Sequence, residues 1–167
     1  KENLLKLAQF EQHSDGRLSS AHFDMAEYPE EIIYIVPAHD ASYYIFASTH
    51  KSASNTPALT VHTPGNWGAG DLGGEPRTLN VAFGSKVKVV ARKLKELNAS
   101  MGLNWQVAIE ADHHGPTLEK PILFVEIGST EKEWDDEKAG EIAARAIIAA
   151  VESKETFPCY VGFGGSH

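Results

Sequence analysis

Histidines and carboxylates gather in this sequence directly after short apolar runs. Ser48-Thr49-His50-Lys51-Ser52 follows Tyr43–Ala47, and His62-Thr63-Pro64-Gly65-Asn66 follows Ala58–Val61. Glu110-Ala111-Asp112-His113-His114-Gly115-Pro116 follows Trp105–Ile109, and Glu126-Ile127-Gly128-Ser129-Thr130 follows Ile122–Val125. Gly162-Phe163-Gly164-Gly165-Ser166-His167 follows Cys159–Val161. Five of the eight histidines, His50, His62, His113, His114 and His167, therefore sit at such junctions. Imidazoles and carboxylates without a neighbouring thiol suit two chemistries: general acid-base transfer, or zinc held through nitrogen and oxygen with one position left for water. No HExxH sets a ligand spacing, and no GxSxG marks a nucleophilic serine. Gly162-Phe163-Gly164-Gly165 lacks the rest of a dinucleotide fingerprint.

Each candidate also has a simpler explanation. Glu126 follows four apolar residues and precedes Ile127, so it is expected to be buried, where a carboxylate needs a cation, a metal or a hydrogen-bond network. A structural ion pair would satisfy it equally. Gly128-Ser129-Thr130 leads into a helix and could receive an anion on free backbone N–H groups, although plain capping is sufficient. Adjacent His113 and His114 cannot both point one way from an extended backbone, so one is expected in the site and the other beside it. His13, His22 and His39 are expected to be hydrogen-bonded structural residues.

The elements that would position these groups are legible as apolar patterns. Ile32–Val36, Tyr43–Ala47, Trp105–Ile109, Ile122–Val125 and Cys159–Val161 are β-branched and aromatic runs, expected as strands buried on both faces. Leu4, Leu5, Leu7, Ala8 and Phe10 have roughly helical spacing. Val87, Val90, Ala91 and Leu94 mark one face of a helix, with Lys88, Arg92 and Lys95 on the other. Ala139, Ile142, Ala143, Ala146, Ile147 and Ala150 mark a second helix, and Thr130-Glu131-Lys132-Glu133 ahead of it has capping-box spacing. Strands alternating with helices predict an α/β fold with a mixed, mostly parallel sheet flanked by helices. In such sheets ligands bind beyond the carboxyl ends of the strands, so the site is expected along one sheet edge. The long Gly65–Gly74 loop is expected to be functional.

Composition bounds the rest. The 167 residues, 42% hydrophobic and 23% charged, suit a single α/β catalytic domain, and both ends look like cuts through something longer. One cysteine, Cys159, forms no internal disulfide, which suits a reducing, cytoplasmic setting. No run approaches the ~20 apolar residues of a membrane span. The net charge of -8 argues at first against a nucleic acid. Its distribution argues otherwise: residues 42–109 carry seven bases and three acids, so Lys88, Arg92 and Lys95 are a candidate contact to a phosphate backbone.

Taken together, Ser48–Ser52 with Pro57–Asn66, then His113–Pro116, then Phe124–Thr130 with Trp134, and finally Gly162–His167 resemble the archaeal and plant type of D-aminoacyl-tRNA deacylase. Four separated blocks in one order cover most of residues 40–167; residues 1–39 add little. The resemblance implies hydrolysis of the ester between a D-amino acid and the terminal ribose of tRNA. It also implies a fold related to peptidyl-tRNA hydrolase and the nucleoside phosphorylases, a dependence on zinc, and D-aminoacyl-tRNA as the partner of a monomer. The residue reading and the resemblance together make His113, His114 and Glu126, with His50 or His62, the catalytic candidates, either holding zinc (through His50, His62, His113 and Glu126) or acting as general base. Asn66, Gly128, Ser129, Thr130, Gly164, Gly165 and His167 would bind substrate, the last glycines receiving the oxyanion. Two departures stand out: Asp112 replaces the Thr usual before the His-His pair, and the family continues past the last block with a Tyr. A zinc-dependent hydrolase of a small ester, amide or peptide, and a non-catalytic module binding the tRNA end, are the alternative readings.

Overall fold

Alternation along two central segments determines how the chain folds. In Leu59-Thr60-Val61-His62 and Leu123-Phe124-Val125-Glu126, every second residue is aliphatic, and successive strand residues point to opposite faces. The computed structural model describes residues 1–163. Strands β4 (Tyr44–Lys51), β5 (Ala58–His62), β6 (Gln106–Ile109) and β7 (Ile122–Ser129) form a four-stranded sheet in the order β4-β7-β5-β6. β4 and β7 are parallel, as are β5 and β6, but β5 and β7 are antiparallel. The mixed α/β architecture is thus as expected.

Two long helices cover one face. α2 (Gly84–Ser100) and α4 (Glu137–Glu152) place Val90, Leu94, Ile142, Ala146 and Ala150 against Leu59, Val61, Leu123 and Val125. Fully burying an aliphatic side chain of this size is worth roughly 1.5–3 kcal/mol, so this layer holds the sheet. Asp136 caps α4 through its Oδ1, which accepts from Ala139 N–H at 2.8 Å. Lys86 closes the other end of α4, donating to the carbonyls of Ala150 and Ser153 at 2.6 and 2.7 Å. Short α1 (Glu2–Leu7) packs on α4, and β1 (Glu11–Gln12), β2 (Leu18–Ser19) and β3 (Asp24–Met25) make a small antiparallel sheet. Among the described residues no long helix covers the opposite face of the main sheet; Ile35, Phe46, Ile122 and Phe124 form a smaller apolar cluster there. No helix among the described residues is long and apolar enough to cross a membrane.

Several expectations are corrected. Ile32–Val36 is not a strand: Ile32–Tyr34 forms one 3₁₀ turn, since Glu31 and Pro37 leave too few residues to extend a ladder. Cys159–Val161 is also not a strand; these residues run irregularly and exposed past the start of α2. β4 and β7 each run four residues beyond their apolar cores, to Lys51 and Ser129, because they pair with each other continuously. The capping box belongs to a separate one-turn helix, α3 (Glu131–Trp134), where Thr130 N–H and Oγ1–H both donate to Glu133 Oε2.

Candidate active site on the open sheet face

Glu126 lies mid-strand on β7, opposite Ser48 on β4 and Thr60 on β5. Alternation turns it away from α2 and α4, onto the face shared with Phe46 and Phe124. His50 pairs with Gly128, one row past Glu126, and His62 pairs with Phe124, one row before it. β4 and β5 run in opposite directions, so the two histidines approach the carboxylate from opposite sides. His50 Nδ1 lies 3.6 Å and His62 Nε2 3.5 Å from the same Glu126 Oε2. The site therefore occupies a face of the sheet and not one edge, contrary to expectation. A mixed sheet puts the carboxyl ends of β4 and β5 at opposite edges, and only the middle of β7 is within reach of both.

Glu110, just past β6, completes the group from the other side. Its N–H donates to Val61 O, and its Oε1 lies 3.6 Å from His50 Nε2. His50 thus sits between two buried carboxylates. The Glu126 contact first, then the charge of Glu110, hold the His50 pKa above its ordinary value against the opposing effect of burial. Burial alone would raise the Glu126 pKa, but the approach of His50 and His62 outweighs it and brings it down to about 2. Glu126, only 3% exposed, is therefore an ionised carboxylate among imidazoles.

On the far side of His62 lie both residues of the His-His pair. The His62 and His113 rings stack at 4.3 Å, and His114 meets His62 edge-on at 4.9 Å. His114 also packs on Phe124 at 4.8 Å. That both rings reach the site corrects the expectation of one inside and one outside. Its premise was an extended backbone, and His114 is in the left-handed region at φ 46°. Each of the three rings donates Nδ1–H to a backbone carbonyl: His62 to Thr63 at 3.2 Å, His113 to Ala111 at 2.8 Å, His114 to Gly115 at 2.6 Å. A carbonyl can only accept, so in each neutral ring Nε2 carries the lone pair.

The remaining sequence candidates have other surroundings. Asn66 is buried and donates to the carbonyls of Gly73 and Glu75, closing the glycine-rich loop on itself. Gly128 makes room for His50, since a Cβ there would lie 2.7 Å from that residue's own Cβ. Ser129 Oγ donates to Thr56 O, and Thr130 is the cap of α3, so the simpler capping explanation accounts for this turn. Trp134 Nε1–H donates to His50 O at 3.0 Å and fixes the end of β4. Lys88, Arg92 and Lys95 are exposed on α2, across the sheet from the histidines, and the Lys88 ammonium sits 3.9 Å above the Phe157 ring. Gly164, Gly165 and His167 lie outside the described residues. Asp112, half-buried, has its pKa raised by burial and opposed by His62. Asn80 was not singled out by the sequence; Glu110 was noted as a carboxylate directly after the run Trp105–Ile109 but was given no role. A cavity of about 1030 Å³ lies elsewhere, between the outer edge of β4 and the N-terminal segment, lined by residues such as Tyr28, Ile35, Phe46 and Ile147. The ligating side chains gather at the histidines, and we place the site there.

Among the described residues, two adjoining donor groups could hold a cation: His62, His113 and His114, and His50, Glu110 and Glu126, with ligand atoms within 4.8 Å of one another in each. The donor chemistry fits zinc, because a ligating imidazole characteristically gives its second N–H to a carbonyl or carboxylate. His62 Nε2 and Glu110 Oε2 are also buried without a hydrogen-bond partner among the described residues, as ligand or proton-relay atoms would be before their partner arrives.

The fold and the cluster together define an α/β protein with imidazoles and two buried carboxylates gathered on one sheet face. Residues 37–167 match the family model of D-aminoacyl-tRNA deacylase, and the chain belongs to that family. It is 46% identical over 124 residues to the D-aminoacyl-tRNA deacylase of Pyrococcus furiosus, a match covering 74% of this chain and 45% of that protein. The enzyme of the same name from Methanosarcina mazei is 46% identical over 129 residues, covering 76% and 43%. The chain thus spans about half the length of the curated relatives it matches. A crystal structure titled as a conserved protein of unknown function, AF0625, superposes with a TM-score of 0.85 at 34% identity, covering 92% of this chain and 58% of that one.

Proposed function

We propose that this chain is the part of a D-aminoacyl-tRNA deacylase that bears the catalytic histidines, hydrolysing the ester to free D-amino acid and tRNA in the cytoplasm. One observation carries the reading: in a member of this family, the histidines of the separated motifs converge, His50 and His62 on one ionised glutamate and His113 and His114 on His62. Hydrolysis adds the hydroxyl of water to the acyl carbon and its proton to the ribose oxygen, so the site must supply a nucleophile at neutral pH and a proton for the leaving group. His62, His113 and His114 would hold zinc, whose Lewis acidity makes water acidic enough to attack and polarises the ester carbonyl. Glu126, with a pKa far below neutral, is a weak proton acceptor; it orients His50 and balances its charge, while the Nε2 lone pair of His62 is left for the metal. His50, held between Glu110 and Glu126, is the proton donor to the ribose oxygen. A fold kinship with peptidyl-tRNA hydrolase and the nucleoside phosphorylases is part of the same proposal, supported by helices stacked on a mixed sheet. Lys88, Arg92 and Lys95 are read as contacts to the body of the tRNA, away from the ester.

Deacylation of matched D- and L-aminoacyl-tRNA by the full-length protein, with and without chelator, tests the reading. Release of D-amino acids in preference to L, lost on chelation and restored by zinc, is expected. His113→Ala and His114→Ala should each slow release at least tenfold. Near-normal rates in both variants, or equal hydrolysis of amino-acid esters lacking tRNA, would overturn it.

A further inference from the structure

The three clustered histidines come from two segments that share no strand: His62 is the last residue of β5, and His113 and His114 lie between β6 and β7. A third segment, Thr78–Val81, runs between them. The side chain of Asn80, buried at the centre of that segment, reaches both. Its Nδ2 donates to Pro64 O at 2.9 Å and to Pro116 O at 2.8 Å, and its Oδ1 accepts from Leu118 N–H at 2.7 Å. Pro64 is two residues past His62, and Pro116 is two residues past His114.

We propose that Asn80 is a positioning residue for the histidine cluster, a single amide that sets the distance between the turn that follows His62 at the end of β5 and the loop of His113 and His114. The chemistry requires an amide. Only a planar group with two donors on one atom and an acceptor on the other binds two carbonyls and one N–H together. Aspartate, of the same size, would set a carboxylate against two carbonyl oxygens. Alanine would leave both carbonyls and one N–H buried without partners. The neighbouring bonds reinforce the clamp without replacing it. Gly65 N–H donates to His113 O at 3.2 Å, and Asn66 N–H to Thr78 O at 2.8 Å, so each joins only two of the three segments. The Nδ1–H bonds that set the ring tautomers go to carbonyls of these same loops, which is how a displaced loop would reach the chemistry.

The test uses full-length protein labelled with ¹⁵N-histidine, wild type and the variants N80D and N80A. Long-range ¹⁵N NMR of the rings reports tautomers and does not depend on any reaction. For wild type, His62, His113 and His114 should show protonated Nδ1. In N80D and N80A those signals should lose the single-tautomer pattern, while His13 and His22 in the N-terminal segment keep theirs. The kinetic arm rests on the deacylase reading: kcat should fall on the order of 10–100-fold, as for misplacement by about 1 Å, with KM within twofold. Unchanged ring signals in folded variants would overturn the clamp whether or not the protein deacylates tRNA. So would failure of both variants to fold at 25 °C, because Asn80 would then serve the whole fold. Altered ring signals in a protein without deacylase activity would uphold the clamp and overturn only the reaction.

Discussion

The two faces of the main sheet are built from the same strands by alternate residues, yet they obey opposite rules. Toward α2 and α4, Leu59, Val61, Leu123 and Val125 pack into the main hydrophobic cluster. Toward the other face, Thr60, His62, Phe124 and Glu126 mix aromatic packing with buried charge. The helix-covered face supplies the hydrophobic stabilisation, and this rigid support lets the other hold a carboxylate and imidazoles at short range. Neighbouring residues such as Val125 and Glu126 therefore belong to different tasks, and their substitution should fail in different ways.

The largest contrast is expected from that pair of faces. Glu126→Gln keeps the volume but removes the charge between His50 and His62; turnover should fall about 10²–10⁴-fold while the protein still folds, checked by single-turnover deacylation beside circular dichroism. Leu123→Ala should do the reverse. It should cost about 2–5 kcal/mol in urea unfolding, with turnover per folded molecule unchanged. A Leu123→Ala protein as slow as Glu126→Gln would erase the distinction between the faces.

Gly128→Ala tests how tightly the polar face is packed. The added methyl would lie 2.7 Å from both Cβ and O of His50. Overpacking of this kind costs about 1–3 kcal/mol, and turnover should fall with stability, because the displaced group is itself in the site. A variant that loses stability but keeps full turnover would place His50 outside the reaction.

A pH series separates the faces more gently. The His50 pKa is raised above its ordinary 6.5, so its contribution to stability in metal-free protein is fully present below 6.5 and lost as pH rises through the folded-state value. The Glu126 pKa is lowered from 4.5 to about 2, so its contribution is present above 4.5 and lost as pH falls toward 2. Urea unfolding should therefore show declining stability above pH 6.5, with a slope of at most one proton. His50→Gln should flatten that decline, and an unflattened profile would assign it to another group. The smallest effect belongs to the outside of the helical layer. Reversing Lys88, Arg92 and Lys95 to Glu should weaken tRNA binding at low salt and leave turnover at saturation unchanged; equal affinity in a filter-binding assay would remove the patch from the tRNA footprint.

Much of this site was legible in the sequence. His50, His62, His113, His114 and Glu126 stood out as polar residues at the ends of apolar runs, and those runs located all four strands of the main sheet. Ile32–Val36 and Cys159–Val161 misled because a short β-branched run satisfies strand propensity whether or not a neighbour is there to pair with it. Asn80 left no sequence signal at all. An asparagine in a loop is ordinary, and its value lies in the three segments that meet around it.

The sequence by itself determined the alternation that divides the sheet into a core face and a polar face, since the period of two is a local property of an extended chain. It also determined the stripes of α2 and α4 and the residue types from which a hydrolytic centre can be made. Only the tertiary structure decided that the centre lies on a face, that both members of the His-His pair enter it, and that Glu110 joins from the edge strand. These depend on the direction in which β5 crosses β7 and on the left-handed turn at His114. Strand direction is set by how connections and neighbouring layers pack, and no local pattern of residues encodes it.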